Sequence, residues 1–315
     1  MKNHLLFLFI CCLNIGLQAQ NHISKNIEIN DLIDGTLLQP EDNSSKTLAI
    51  IIAGSGPTNR DGNQIAMKNN SLKQLANFLT DEGLASFRYD KRIFKLAKNQ
   101  MLDESLMRFD DFVKDAADVV NYFKLYHDDE YDFDKFILIG HSQGVLVAQL
   151  ASLKTAVNAL ILLCGTAKPI DEVMVSQVSK QAPFLYNDLK GAFDSIKTVG
   201  YVNEYNPLLK TILREDTQAF LQSWMLYNPT KLAKKIIEPT LVIGGSTDIQ
   251  VPGEEAKILA DNFPNATYAI IKNMNHILKN VESLGQANLK SYNNPNLPLH
   301  DNLKSEIHDF IQKYQ

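Results

Sequence analysis

Phe136-Ile137-Leu138-Ile139-Gly140-His141-Ser142-Gln143-Gly144-Val145-Leu146-Val147-Ala148-Gln149-Leu150 is the stretch from which the fold can be read. It opens with an unbroken apolar run, the pattern of a strand buried on both faces. A Gly-x-Ser-x-Gly turn follows, then an apolar helical pattern. Small Gly140 and Gly144 flanking Ser142 suit a sharp strand-to-helix turn that lifts the serine hydroxyl above a sheet. The helix starting there would present backbone N–H groups and a positive partial charge where an oxyanion could develop. The bare pattern is a weak signal, because ordinary strand-to-helix turns also use glycine and serine. The strand before it and the helix after it give it weight.

Outward from this turn, buried-strand patterns at 47–53, 85–89, 159–164, 240–243 and 267–271 alternate with amphipathic helical patterns at 71–82, 109–126, 254–262 and 303–314. Residues 23–38 read as two short strands joined by an Asp34-Gly35 turn, an antiparallel entry to the sheet. Such alternation implies an α/β fold, with a mostly parallel central sheet and helices on both faces. Between 167 and 236 the pattern is helical without a strand, so this segment is expected to be a cap inserted into the core. The expected organisation is a signal peptide at 1–20, a core at 21–166 and 237–315, and a helical cap at 167–236.

A serine hydroxyl is a poor nucleophile at neutral pH; it needs a base, and the base needs an orienting acid. In sheets of this kind function collects at the carboxyl ends of the strands. Asp248 lies past the 240–243 strand and His276 past the 267–271 strand, in the chain order Ser142, Asp248, His276. Each also has a plainer reading, as a turn or capping aspartate and as a loop histidine. Asp261, the rival acid, reads as the polar end of a helix. His141 is the variable position of the turn and reads as packing. Two backbone N–H groups would complete an oxyanion hole: that of Gln143, directly after the serine, and that of Ser55 in the loop Gly54-Ser55-Gly56, with Gly54 as the alternative. Arg60, Arg88 and Asp90 read as ion pairs that support this loop or, failing that, as substrate contacts.

Taken together, Ala53 to Asn63, Arg88-Tyr89-Asp90-Lys91-Arg92, the serine turn, Gly245 to Pro252, Asn275-His276 and Ser291 to Leu299 resemble the α/β-hydrolase superfamily, in its esterase branch near the serine aminopeptidase and monoacylglycerol lipase families. The resemblance spans nearly all of the chain after residue 20. It implies an α/β-hydrolase fold and a serine carboxylic ester hydrolase working through an acyl-enzyme, with a small-molecule ester as substrate and neither metal nor organic cofactor. One departure stands out: relatives often continue the Arg-Tyr-Asp-Lys-Arg motif with Gly-x-Gly-x-Ser, whereas here Arg92-Ile93-Phe94-Lys95 follows. A different shape is therefore expected for this rim of the pocket. A short or medium acyl chain is the expected substrate class. Alternatives are a peptidase or amidase using the same triad, and a non-catalytic binding protein on the same fold. In the cap, Phe184, Leu185, Tyr186, Phe193, Phe220, Trp224, Met225 and Tyr227 either line an acyl pocket or form the cap's own packing face.

Composition narrows the remaining classes. The 315 residues are 45% hydrophobic, enough for a sizeable core, and carry a net charge of -5, which gives no electrostatic reason for a nucleic-acid partner. At the N-terminus Lys2 precedes the apolar run Leu5 to Leu13, and Gln18-Ala19-Gln20 follows, the layout of a secretory signal peptide. Export to the periplasm or medium is therefore expected, with no stable membrane insertion of the processed chain. Cys11 and Cys12 would leave with that segment. Cys164 then remains alone in a buried strand pattern, as a small hydrophobe.

Overall fold

The computed structural model describes residues 22–42, 44–126 and 132–314. The expected signal peptide, with Cys11 and Cys12, lies outside the described residues. The strands are β1 (His22–Asn30), β2 (Ile33–Pro40), β3 (Thr47–Ile52), β4 (Ala85–Tyr89), β5 (Lys135–His141), β6 (Ala159–Leu163), β7 (Thr240–Gly245) and β8 (Ala266–Ile271). They form one sheet in the order β1-β2-β4-β3-β5-β6-β7-β8. β1 and β2 enter antiparallel, and β4 through β8 run parallel. This is the mostly parallel sheet that the alternating pattern implies.

The helices in chain order are α1 (Ser71–Asp81), α2 (Arg92–Lys98), α3 (Phe109–Leu125) and α4 (Gln143–Ser152). Between β6 and β7 come α5 (Ile170–Gln181), α6 (Tyr186–Val199), α7 (Lys210–Leu213), α8 (Glu215–Met225) and α9 (Pro229–Ala233). α10 (Glu254–Ala260), α11 (Gln286–Ser291) and α12 (Asp301–Ile311) complete the chain.

Strand alternation sorts the apolar residues into two layers. Leu48, Ile50, Phe136, Leu138, Leu160, Leu162 and Val242 face one core, shared with α3, α4 and α10. Ala49, Ile51, Ile137, Ile139, Ile161, Leu163, Leu241 and Ile243 face the other, shared with α1 and α12. Strands apolar at both parities are therefore buried on both faces, as continuous runs should be. A third cluster, including Leu189, Phe193, Ile196, Leu213 and Leu221, belongs to α6 to α8 and gives that segment its own small core.

The entry hairpin differs from the sequence expectation. Its turn is at Asp31-Leu32, where Asn30 Oδ1 accepts from the N–H groups of Leu32 and Ile33 at 2.9 and 3.0 Å. Asp34 and Gly35 lie inside β2. Gly35 is needed there for space rather than for turning, since a Cβ would come within 2.3 Å of the Phe87 ring. Helices α2 and α11 carry too short an apolar pattern to be read from sequence.

Candidate active site

The turn after β5 is tight because three backbone segments meet there. Ser142 has φ 55° and ψ -117°, a conformation that costs a non-glycine residue about 1–3 kcal/mol. A Cβ on Gly140 would stand 2.3 Å from Gly144 O, and one on Gly144 would stand 2.3 Å from Ile52 O of β3. Both glycines are therefore steric requirements for seating α4 against β3 and β5. Ser142 is held at the N-cap position of α4 with its N–H donating to Leu163 O at 2.9 Å.

Past β7 and β8 the candidate acid and base meet. His276 Nδ1 lies 2.7 Å from Asp248 Oδ2, and both side chains are almost wholly buried. The carboxylate can only accept, so the proton sits on Nδ1 and leaves the Nε2 lone pair free. Asp248 Oδ1 is held in turn by the N–H groups of Gln250 and Val251 at 2.7 and 2.9 Å. Ser142 and His276 line one cleft, without a direct hydrogen bond between them among the described residues. Contacts of this kind commonly tighten only when substrate binds.

The two loops are tied by a buried polar network absent from the sequence reading. Asn275 Nδ2 donates to Asn288 Oδ1 (3.1 Å) and Ser291 Oγ (2.8 Å), and Asn288 Nδ2 donates to Thr247 O (2.7 Å). Residues of α11 thus bridge the loop carrying the base to the loop carrying the acid. His141, read from sequence as packing, is also part of the scaffold. Its Nε2 lies 2.7 Å from His276 O, a carbonyl that must accept, so this ring is the neutral Nε2–H form. Burial, with the His276 ring next to it, pushes the His141 pKa down to about 4.

The loop after β3 carries the second expected oxyanion donor. Ser55 lines the cavity beside Ser142 and Gln143, while Gly54 is buried behind it with a prospective Cβ only 3.2 Å from the Ser142 Cβ. Ser55 O accepts from Thr58 Oγ1 at 2.8 Å. Among the described residues, neither the Ser55 nor the Gln143 backbone N–H donates to an acceptor of the chain. Arg60 donates to Asp90 (2.8 Å) and Asp34 (2.5 Å), and its own N–H donates to Asp90 Oδ1 at 2.7 Å. Arg88 Nε donates to Asp61 at 2.8 Å. Arg60, Arg88 and Asp90 are thus absorbed in ion pairs that brace the loop, and none of them lines the cavity.

The cavity has two lobes that share Ser55 and Ser142. The larger, about 150 Å³, runs under the cap and is mainly apolar, with Val145, Leu146, Ile170, Val173, Met174 and Trp224 on its walls. The smaller, about 50 Å³, holds His276 and Tyr292. Of the cap aromatics singled out in the sequence, Trp224 is the one lining the larger lobe. Leu185, Phe193 and Met225 belong to the cap core, and Phe184 and Tyr186 are exposed. The first turns of α5 supply Ile170, Val173 and Met174 to the wall, and only their position just past β6 could have pointed to them. Cys164 is buried at the end of β6, where burial and neighbouring Asp248 push its thiol pKa well up. His141, Cys164 and His276 place ligand-type atoms within 4.8 Å of one another. His141 Nε2 and His276 Nδ1 are engaged in hydrogen bonds, to His276 O and to Asp248 Oδ2.

A serine on a strained strand-to-helix turn, set in a parallel sheet with helices on both faces, defines an α/β-hydrolase. Comparison with known proteins agrees. The family model described as serine aminopeptidase, S33, matches residues 65–281, more than half of the chain. The chain belongs to this family. It is 21% identical over 268 residues to esterase EstD of Thermotoga maritima, an alignment covering 81% of this chain. The chain spans 60% of the length of that relative. Among solved structures, Est1E of Butyrivibrio proteoclasticus, with ferulic acid bound, superposes with a TM-score of 0.57 at 17% identity, covering 91% of this chain and 99% of that one. Esterase Pf2001 of Pyrococcus furiosus gives 0.52 at 13% identity, covering 94% and 91%. At such identities the likeness speaks for the fold.

Proposed function

We propose that the protein is a serine carboxylic ester hydrolase acting on esters of short to medium acyl chains. The observation that carries this reading is the buried Asp248–His276 pair, 2.7 Å from Oδ2 to Nδ1, with His276 opening on the same cleft as Ser142. In this reading His276 Nε2 takes the Ser142 proton as Oγ attacks the acyl carbonyl. The Ser55 and Gln143 N–H groups hold the oxyanion, and Asp248 stabilises the imidazolium. The imidazolium then gives its proton to the departing alkoxide, leaving the acyl group on Ser142. Water, deprotonated by His276, repeats the cycle and releases the acid. Because His276 protonates the leaving oxygen, the alcohol belongs in the smaller lobe with His276 and the acyl group in the larger, apolar one.

The peptidase alternative requires recognition of a free amine or a free carboxylate, hence an acid or an arginine facing the cavity. No arginine lines either lobe among the described residues. The charged side chain lining the larger lobe is Lys168, whose Nζ lies 3.3 Å from Glu255, and no Asp or Glu lines either lobe among the described residues. This favours esters. The test is hydrolysis of p-nitrophenyl esters of increasing acyl length beside an aminoacyl-nitroanilide, with Ser142→Ala as control. Ester turnover that requires Ser142 and declines with chain length is expected. Preference for the anilide, or full activity in Ser142→Ala, would overturn the proposal.

A further inference from the structure

Directly past β4 the chain buries a lysine with no carboxylate bonded to it among the described residues. Lys91 is 6% exposed, and its Nζ donates to Gly54 O, to Gly56 O at 3.0 Å and to Gln143 Oε1 at 3.1 Å. The Phe112 ring closes the remaining side, 5.2 Å from Nζ to its centroid. The adjoining void is about 10 Å³, at the limit of one water molecule. An ammonium has three hydrogens and no acceptor capacity, and all three are used on neutral oxygens. A cation buried in this way is costly, and deleting it would take a donor from the two carbonyls and the amide oxygen it serves. Its partners indicate what it is for.

Those partners belong to the two segments that carry the two oxyanion donors. Gly54 C=O and Ser55 N–H are halves of one planar trans peptide and point in opposite directions. Drawing Gly54 O toward Lys91 therefore turns Ser55 N–H away from it. The same ammonium, through Gln143 Oε1, ties down the residue whose N–H is the other donor. A cation on the carbonyl also polarises that peptide, so its N–H becomes a stronger donor to a developing negative charge. We propose that Lys91 is a positioning residue for the oxyanion hole, orienting and polarising the Gly54–Ser55 peptide and locking it to Gln143. This rests on the esterase reading above.

The groups around the ammonium are accounted for. Tyr89 of β4 and Asp115 of α3 border the same void, with Asp115 held by Arg92 of α2, which also pairs with Asp111; Arg60 holds Asp90, and His141 of β5 packs against Gly54. Burial holds Tyr89 well above the usual tyrosine range, and it stays neutral. Burial pushes Lys91 down to about 7, so the loss of its proton falls within reach of a pH profile.

The experiment compares wild type, Lys91→Met, Lys91→Gln and Ser142→Ala on a p-nitrophenyl ester, reading kcat and KM separately, with kcat/KM followed from neutral to alkaline pH. Losing one oxyanion donor costs about 10²–10³ in kcat. Both Lys91 variants are expected to lose at least ~10-fold in kcat, approaching that range, with KM changed by less than about threefold. Wild-type kcat/KM should fall on the alkaline side as the ammonium deprotonates, and the variants should lack that limb. Variants that keep wild-type kcat, or lose only through KM, overturn the proposal while an inactive Ser142→Ala leaves the esterase reading standing. Full activity in Ser142→Ala overturns that reading instead. Should neither Lys91 variant fold, the wild-type profile decides, and a flat alkaline side overturns the proposal.

Discussion

Asp248→Asn tests the esterase reading through one proton. The two carboxylate oxygens of Asp248 do different work: Oδ1 accepts from two backbone N–H groups at 2.7 and 2.9 Å, and Oδ2 faces His276 Nδ1 at 2.7 Å. An asparagine amide has one acceptor end. Turning its NH₂ toward Gln250 and Val251 would leave two part-buried donors without their acceptor, at up to about 1–3 kcal/mol each. The amide oxygen must therefore take the Oδ1 position, and the NH₂ must point at His276 Nδ1. Nδ1 then has to accept, so the imidazole proton moves to Nε2, the nitrogen that should deprotonate Ser142. Restoring the base would mean breaking that arrangement, and the corresponding change in a serine protease lowers kcat by about 10⁴, or about 5 kcal/mol. The assay is kcat for a saturating p-nitrophenyl ester, with the thermal midpoint measured alongside to show an intact fold. A folded Asp248→Asn protein keeping more than a tenth of wild-type kcat would refute the tautomer argument.

Two further outcomes follow from the same turn. Gly144→Ala puts a methyl 2.3 Å from Ile52 O, about 1 Å inside an ordinary contact, so α4 must move off β3 and carry Ser142 and the Gln143 N–H with it. A displacement of that size is expected to cost about 10²-fold in kcat and about 1–3 kcal/mol of stability; unchanged kcat and an unchanged melting midpoint would show that the turn has slack. His141 has its folded-state pKa lowered from 6.5 to about 4, so it contributes stability that is fully present above 6.5 and is lost as pH falls through about 4. Urea titrations at pH 7 and pH 4 should show a loss of about 3 kcal/mol from this group in wild type, much reduced in His141→Gln; equal losses in both would rule the group out as the source.

The parallel sheet was legible because its strands are buried on both faces. Runs such as Phe136-Ile137-Leu138-Ile139 need no partner information, since both parities must be apolar. The order of acid and base along the chain was legible for a related reason: parallel strands deliver their carboxyl ends to one edge, so residues just past them converge. What escaped was set by packing across the chain. The Asp34-Gly35 pair looks like a turn, but Gly35 is there because Phe87 of a distant strand fills its Cβ position. The bridge from Asn275 through Asn288 to Thr247 joins segments whose nearness only the fold creates. Lys91 sat in view inside Arg88-Tyr89-Asp90-Lys91-Arg92, yet an interior ammonium bonded only to neutral oxygens contradicts the usual expectation that lysine is exposed.

Backbone conformation was the least legible level, and it marks the site most clearly. Six described non-glycine residues have positive φ: Asn70, Gln100, Ser142, Cys164, Asn273 and Leu278. Four of them, Ser142, Cys164, Asn273 and Leu278, follow β5, β6 and β8 on the edge where the candidate nucleophile and base stand. For a serine, a cysteine and a leucine this geometry is unfavourable, and no local sequence preference would place it there. It persists because the surroundings over-determine it. Ser142 N–H is held by Leu163 O, Cys164 N–H by Ile243 O at 2.7 Å, and Leu278 N–H by Asn275 O at 3.0 Å. The first two bonds come from the neighbouring strands β6 and β7, and the third is a turn bond within the loop after β8. At Ser142 and Cys164 the strain is therefore carried by the neighbouring strands, and the candidate nucleophile stands on backbone with little freedom to move.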